Sequence, residues 1–147
     1  MTAPESAAPN PAAATRPRPL AVTMGDALGI GPEIVVQAWR AGAMGRDAFV
    51  IGEPRVLQRA ARGLRARDDV PEMPIAVIDA VEDLAAVPPG ALPVLPASFG
   101  APELADAPWG TVDARCGRLA AACVRDAVAL ALRGAIGAVV TAPLHKE

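Results

Sequence analysis

The chain of 147 residues is 52% hydrophobic and carries a formal net charge of −2 at neutral pH. That length suits one domain with a true core, and the near balance of charge leaves no basic excess to attract nucleic acid or an anionic membrane. No apolar run approaches the ~20 residues of a transmembrane helix, the first residues lack the apolar centre of a secretory signal, and cytoplasmic residence is the default expectation.

Met1 to Pro19 is rich in alanine and proline and predicts a disordered tail (1–19) ahead of an α/β portion over 20–147. Leu20 to Met24 has the length and apolar content of a buried strand. It runs into Gly25-Asp26-Ala27-Leu28-Gly29-Ile30-Gly31, and Pro32 fits the first position of a helix over Pro32–Ala41 that Gly42 stops. A glycine-rich turn between strand and helix lets backbone approach a ligand closely, so Gly25, Asp26, Gly29 and Gly31 are candidate crevice residues. The spacing matches neither a dinucleotide fingerprint, which needs a small residue where Ile34 stands, nor a P-loop, which needs a Lys-Ser/Thr pair. Asp26 and Glu33 would repel a bare phosphate, so the loop suits a ribose, an amide or a hydroxyl better. Asp26 itself has two readings, a ligand contact or a brace that accepts backbone donors.

Ala48 to Ile51 predicts a second strand. Pro54 opens a second helix in which Val56, Leu57, Ala60, Ala61 and Leu64 share a buried face, while Arg55, Arg59 and Arg62 form a solvated basic one. Arg65 to Asp69 reads as a charged loop and Ile75 to Ile78 as a third strand. The prolines between Val87 and Pro108 exclude a long helix. Within that stretch Leu92 to Leu95 reads as an edge strand, because Pro93 cannot donate to a central ladder, and the remainder reads as extended loop.

Thr111 or Asp113 opens the clearest helix, with Cys116, Leu119, Ala120, Cys123, Ala127, Leu130 and Ala131 as its buried stripe, Arg118, Arg125 and Arg133 opposite, and Gly134 at its end. Its two cysteines lie about 10 Å apart along the axis, too far to pair, and match no zinc spacing; they read as small buried side chains. Ile136 to Thr141 predicts a buried strand that Pro143 ends. Strands alternating with helices in this order form a parallel sheet covered on both faces. Ligands of such sheets sit beyond the carboxyl ends of the strands, which brings the loop at Gly25–Gly31 and the turn at Thr141–Lys146 to one crevice. In that turn Thr141 suits a cap better than a ligand donor, and Lys146 would meet a phosphate or carboxylate as a point charge. His145, the lone histidine, reads as a surface residue, with a proton-carrying role as the alternative.

Two stretches together carry a family resemblance. Met24-Gly25-Asp26-x-x-Gly29-Ile30-Gly31-Pro32-Glu33-Ile34 resembles the opening signature of the 4-hydroxythreonine-4-phosphate dehydrogenase family, part of the wider isocitrate/isopropylmalate dehydrogenase-like fold. Gly137-Ala138-Val139-Val140-Thr141-Ala142-Pro143-Leu144-His145-Lys146-Glu147 is similar to that family's second motif, valine-threonine-alanine-proline-x-x-lysine-glutamate. Ala27-Leu28 departs from the family's usual proline-alanine, which makes the loop less rigid and bulkier.

The resemblance implies an NAD- or NADP-dependent oxidation assisted by a divalent metal (Zn, Mg or Co), acting on a small phosphorylated hydroxy acid, in a homodimer. It also implies that the substrate motif glycine-histidine-threonine-glutamate and three metal-binding histidines lie beyond Glu147. No catalytic residue and no metal ligand is therefore assigned within this chain. Three readings follow: an amino-terminal piece of such a dehydrogenase, an inactive truncated remnant, or a small nucleotide-binding module. An incomplete fold of this kind is expected to expose apolar sheet and to self-associate.

Overall fold

The computed structural model describes residues 17–144. Five strands form one sheet: β1 (Leu20–Thr23), β2 (Ala48–Gly52), β3 (Ile75–Val77), β4 (Leu92–Pro96) and β5 (Ala138–Thr141), in the order β3-β4-β2-β1-β5. Every pairing is parallel, with Leu20 opposite Ala48 and Ala138, Val50 opposite Val94, and Ile75 opposite Leu92. A parallel sheet needs its central strand apolar on both faces. Ala48-Phe49-Val50-Ile51-Gly52 meets that need, and all five residues are buried.

Three α-helices cover the sheet: α1 (Gly31–Arg40), α2 (Pro54–Asp68) and α3 (Ala114–Leu132). The amphipathic period places Val56, Leu57, Ala60, Ala61 and Leu64 of α2 in the core, as the sequence predicts. Glu53 caps α2 by accepting from Arg55 N–H at 3.3 Å, and Asp113 caps α3 by accepting from Arg115 N–H at 2.8 Å. At the other end of α3, Gly134 N–H donates to Ala131 O and Ala135 N–H to Leu130 O, the paired bonds of a Schellman stop. α1 ends the same way at Gly42 and Ala43. No helix among the described residues is long and apolar enough to cross a membrane.

Several elements differ from the sequence reading. β4 is an interior strand, held between β3 and β2. Leu92 N–H donates to Pro74 O and Val94 O accepts from Ile78 N–H, so residues 92 and 94 turn their polar groups to β3, while by the two-residue period Pro93 faces β2. The register with β2 begins only at Val94. The missing N–H of Pro93 thus falls one step before that ladder starts, where a proline does no harm. Conversely β5 is an edge strand, paired with β1 alone, and is largely exposed.

Arg65 to Asp68 continue α2, which stops at Asp69 in the left-handed region with φ 47°. Arg59 leaves the solvated face and binds Leu104 O and Ala107 O. The stretch between Val87 and Pro108 contains β4 and a 3-10 turn at Pro102–Asp106, and another such turn, Val81–Ala86, precedes it. On α3, Ala131 is exposed and Ala122 takes its place in the buried stripe. The predicted tail lies outside the described residues except for its end, where Pro19 O accepts from Gly137 N–H at 2.9 Å.

Among the described residues two buried side-chain polar atoms lack a partner, Thr23 Oγ1 and Arg40 Nε. Thr23 is fully buried at the end of β1, and among the described residues its hydroxyl makes no hydrogen bond. An unpaired buried hydroxyl costs about 1–3 kcal/mol, whereas an apolar isostere has no such cost. Thr23→Val is therefore expected to raise the free energy of unfolding by about 1 kcal/mol in urea titration; an equal loss would show that the hydroxyl is bonded.

Candidate functional site

The two glycine- and proline-containing motifs meet beyond the carboxyl ends of adjacent parallel strands. Thr23 of β1 stands opposite Thr141 of β5. The ladder then continues into the loops: Ala142 N–H donates to Thr23 O at 3.1 Å, and Asp26 N–H donates to Pro143 O at 3.1 Å. Gly25 makes this closure possible. Its φ is +78°, and a Cβ there would stand 2.5 Å from Pro143 O, so only glycine combines that conformation with that approach. Gly31 is constrained from the other side, since a Cβ would run into the Met24 carbonyl oxygen. Gly29 lies against Asp26, where a Cβ would stand 2.9 Å from Oδ2.

Asp26 takes the bracing role that the sequence left open. Its Oδ1 accepts from Leu28 N–H at 3.1 Å, an Asx-type turn that shapes the loop. The side chain is half-buried and at the same time lines a groove of about 990 Å³ between the glycine loop and the exposed flank of α3. Brace and groove wall are the same carboxylate. Asp113, Cys116, Arg125, Val128 and Leu144 line the groove with it.

A strap over residues 102–113 borders the groove, which its residues Gly110 to Asp113 line. The Arg59 guanidinium lies 4.0 Å over the Trp109 ring and binds two strap carbonyls. The next residue, Gly110, donates its N–H to Leu28 O at 2.7 Å, tying the strap to the glycine loop. Arg115 grips the Asp113 carboxylate through Nε and Nη2, and this bonding holds the Asp113 carboxyl down at about 2. Asp113 is accordingly an anion committed to its arginine.

The cysteines are poor nucleophiles. Burial pushes the Cys116 thiol up to about 11, with the Asp26 carboxylate adding to the effect. Burial likewise pushes Cys123 up to about 12, reinforced by Asp126. A thiol attacks as thiolate, so both remain unreactive near neutrality. Among the described residues no three His, Cys, Asp or Glu side chains group as a metal site.

Of the residues singled out in the sequence, Gly25, Asp26, Gly29 and Gly31 form one side of the juncture, and Thr141 lies exposed on the other. His145 and Lys146 lie outside the described residues. The sequence reading missed the strap and the groove-facing role of Cys116. The signal for the strap is its proline spacing around Trp109, the only aromatic residue between Phe99 and the end of the chain.

Two outcomes test this geometry. Gly25→Ala combines positive φ with the Pro143 contact and is expected to cost more than about 1 kcal/mol in chemical denaturation; an unchanged midpoint would contradict the closure. Iodoacetamide at neutral pH should leave Cys116 and Cys123 unmodified in the folded chain and label both after denaturation, as followed by mass spectrometry. Rapid labelling of the native protein would contradict their burial and raised thiols.

Comparison with known proteins agrees with the geometry. The family model described as pyridoxal phosphate biosynthetic protein PdxA matches residues 45–147. The chain is 41% identical over 129 residues to D-threonate 4-phosphate dehydrogenase of Salmonella typhimurium, a match that covers 87% of this chain and 37% of that protein. It is 39% identical over 130 residues to 4-hydroxythreonine-4-phosphate dehydrogenase of Prosthecochloris aestuarii, covering 85% and 36%. The crystal structure of 4-hydroxythreonine-4-phosphate dehydrogenase from Klebsiella pneumoniae superposes with a TM-score of 0.71 at 37% identity, over 88% of this chain and 38% of that one. The chain thus spans a little over a third of the length of these relatives. The parallel sheet, its helices, the two joined motifs and these matches agree: the chain belongs to the family of the pyridoxal phosphate biosynthetic protein PdxA, whose curated relatives are named 4-hydroxythreonine-4-phosphate and D-threonate 4-phosphate dehydrogenases.

Proposed function

We propose that this chain supplies one wall of the crevice of an NAD- or NADP-dependent oxidoreductase that oxidises 4-phosphohydroxy-L-threonine or a related four-carbon sugar acid phosphate, with loss of carbon dioxide from the resulting β-keto acid. The observation that carries this reading is the juncture of the two family motifs, where Asp26 N–H meets Pro143 O at the carboxyl ends of β1 and β5. Open parallel sheets place their ligands at that position.

The wall offers backbone and carboxylate, and little positive charge. Asp26 stands ready to accept from a hydroxyl or an amide, while Gly25 and Gly31 keep side chains out of the approach. A phosphate finds no clamp among the described groove residues, where Arg125 is the one cation without a carboxylate partner. The described residues also do not fit the divalent metal of the family, because no trio of ligands is grouped. Phosphate clamp and metal ligands are thus not assigned among the described residues, and no step is routed through the metal here. A nicotinamide cofactor, when bound, supplies the hydride acceptor; the role of this wall is to position and to exclude water.

The purified chain of residues 1–147 is expected to form no NADH from 4-phosphohydroxy-L-threonine with NAD and magnesium or zinc. Fused at Glu147 to the carboxyl-terminal part of the Salmonella typhimurium relative, it should form NADH from that substrate or from D-threonate 4-phosphate. Turnover by the chain alone, or a folded but inactive fusion, would overturn the reading.

A further inference from the structure

α3 carries two apolar faces. One is the buried stripe through Cys116, Leu119, Cys123, Ala127 and Leu130 that packs on the sheet. The second runs through Gly117, Ala121, Val124, Val128 and Leu132, with steps of four, three, four and four residues. Gly117 and Ala121 are exposed, Val128 is 47% exposed and Leu132 83% exposed. Steps of three and four are those with which one helix seats another in coiled-coil-like packing. Exposed valine and leucine at such spacing, beside an apolar groove, mark an uncovered contact face.

We infer that this second face of α3 is the seat of a helix from the polypeptide that, in the longer relatives, follows the region matched by this chain. The inference rests on the family reading above. Three features identify the occupant. The relatives extend for nearly two-thirds of their length outside the matched region, and Leu144, near the end of the family match over residues 45–147, is itself a wall of the groove. Small residues at Gly117 and Ala121 allow close helix approach at one end, while Val128 and Leu132 fill space at the other, so the incoming helix carries bulky residues opposite the first pair and small ones opposite the second. Arg125 lies in the groove with no ion pair among the described residues, so the incoming helix places a carboxylate against it. A second copy of this chain fits less well: the stripe from 117 to 132 has its midpoint beside Arg125, and an antiparallel two-fold pairing would set that guanidinium against its own copy.

The test mixes the chain of residues 1–147 with a separate polypeptide carrying the carboxyl-terminal part of the Salmonella typhimurium relative and measures association by analytical ultracentrifugation and calorimetry. One-to-one binding is expected, weakened about tenfold or more by Ala121→Arg or Val128→Arg. Val77→Arg, on the far edge strand, should bind as the unaltered chain does. Unchanged circular dichroism and melting of the variants alone would show that only the seat was altered. If the separate polypeptide does not fold, the single-chain fusion replaces it, and Val128→Arg should then lower the melting temperature of the fusion while leaving that of residues 1–147 unchanged. Unaltered affinity in both arginine variants, an equal effect of Val128→Arg on fusion and isolated chain, or a dimer of the chain alone abolished by Val128→Arg would each overturn the inference. A stable complex or fusion without NADH formation would retire the proposed activity and leave the seat standing.

Discussion

The approach of Gly25 to the Pro143 carbonyl is the contact on which the arrangement of the site depends. It requires a backbone without a Cβ, at positive φ, directly after β1, and a proline that turns the chain out of the sheet directly after β5. With both in place the β1–β5 ladder extends past its strands, and Asp26 N–H closes on Pro143 O. The glycine loop is then fixed in the plane of the sheet before any side chain contributes. Asp26 sets its curvature through Leu28, and Gly31 lets α1 begin under the Met24 carbonyl. The glycines read first as freedom to meet a ligand, yet the space beside Gly25 and Gly31 is filled by the protein's own carbonyls.

That distinction bears on what the sequence made legible. The buried face of α2 was readable to the residue, because a 3.6-residue period and one apolar stripe leave a single solution. The juncture of the two motifs was also readable, since a parallel sheet brings all its carboxyl ends to one side. The place of β4 was not, because strand order is set by tertiary packing and Pro93 is tolerated wherever its absent N–H falls outside a ladder. The exposure of β5 escaped for a different reason: an apolar run announces that it is to be covered, without saying whether the cover lies within reach. α3 shows the same ambiguity, where Ala131 was assigned to the sheet-facing stripe although it borders the outer one.

The functional residues divide in a related way. Asp26 was recognisable from its place in a glycine loop, whereas its dual use as brace and wall needed the direction of the side chain. The residues of the strap were unreadable as a site because a proline-spaced segment has no period to follow. Its anchoring depends on Arg59, which shares its helix face with arginines that are merely solvated. Family membership rests on matched sequence and fold, while among the described residues no three His, Cys, Asp or Glu side chains group as a metal site.

The strap has one further consequence. Arg59 belongs to α2, a helix seated over β3 and β4 at the far side of the sheet, and it holds the segment whose Gly110 fastens Leu28. The glycine loop is therefore anchored twice, once to the strand from which it springs and once, through an indole and a guanidinium, to the opposite half of the domain. A loop held at two such separated points cannot swing as a hinged flap about the end of β1.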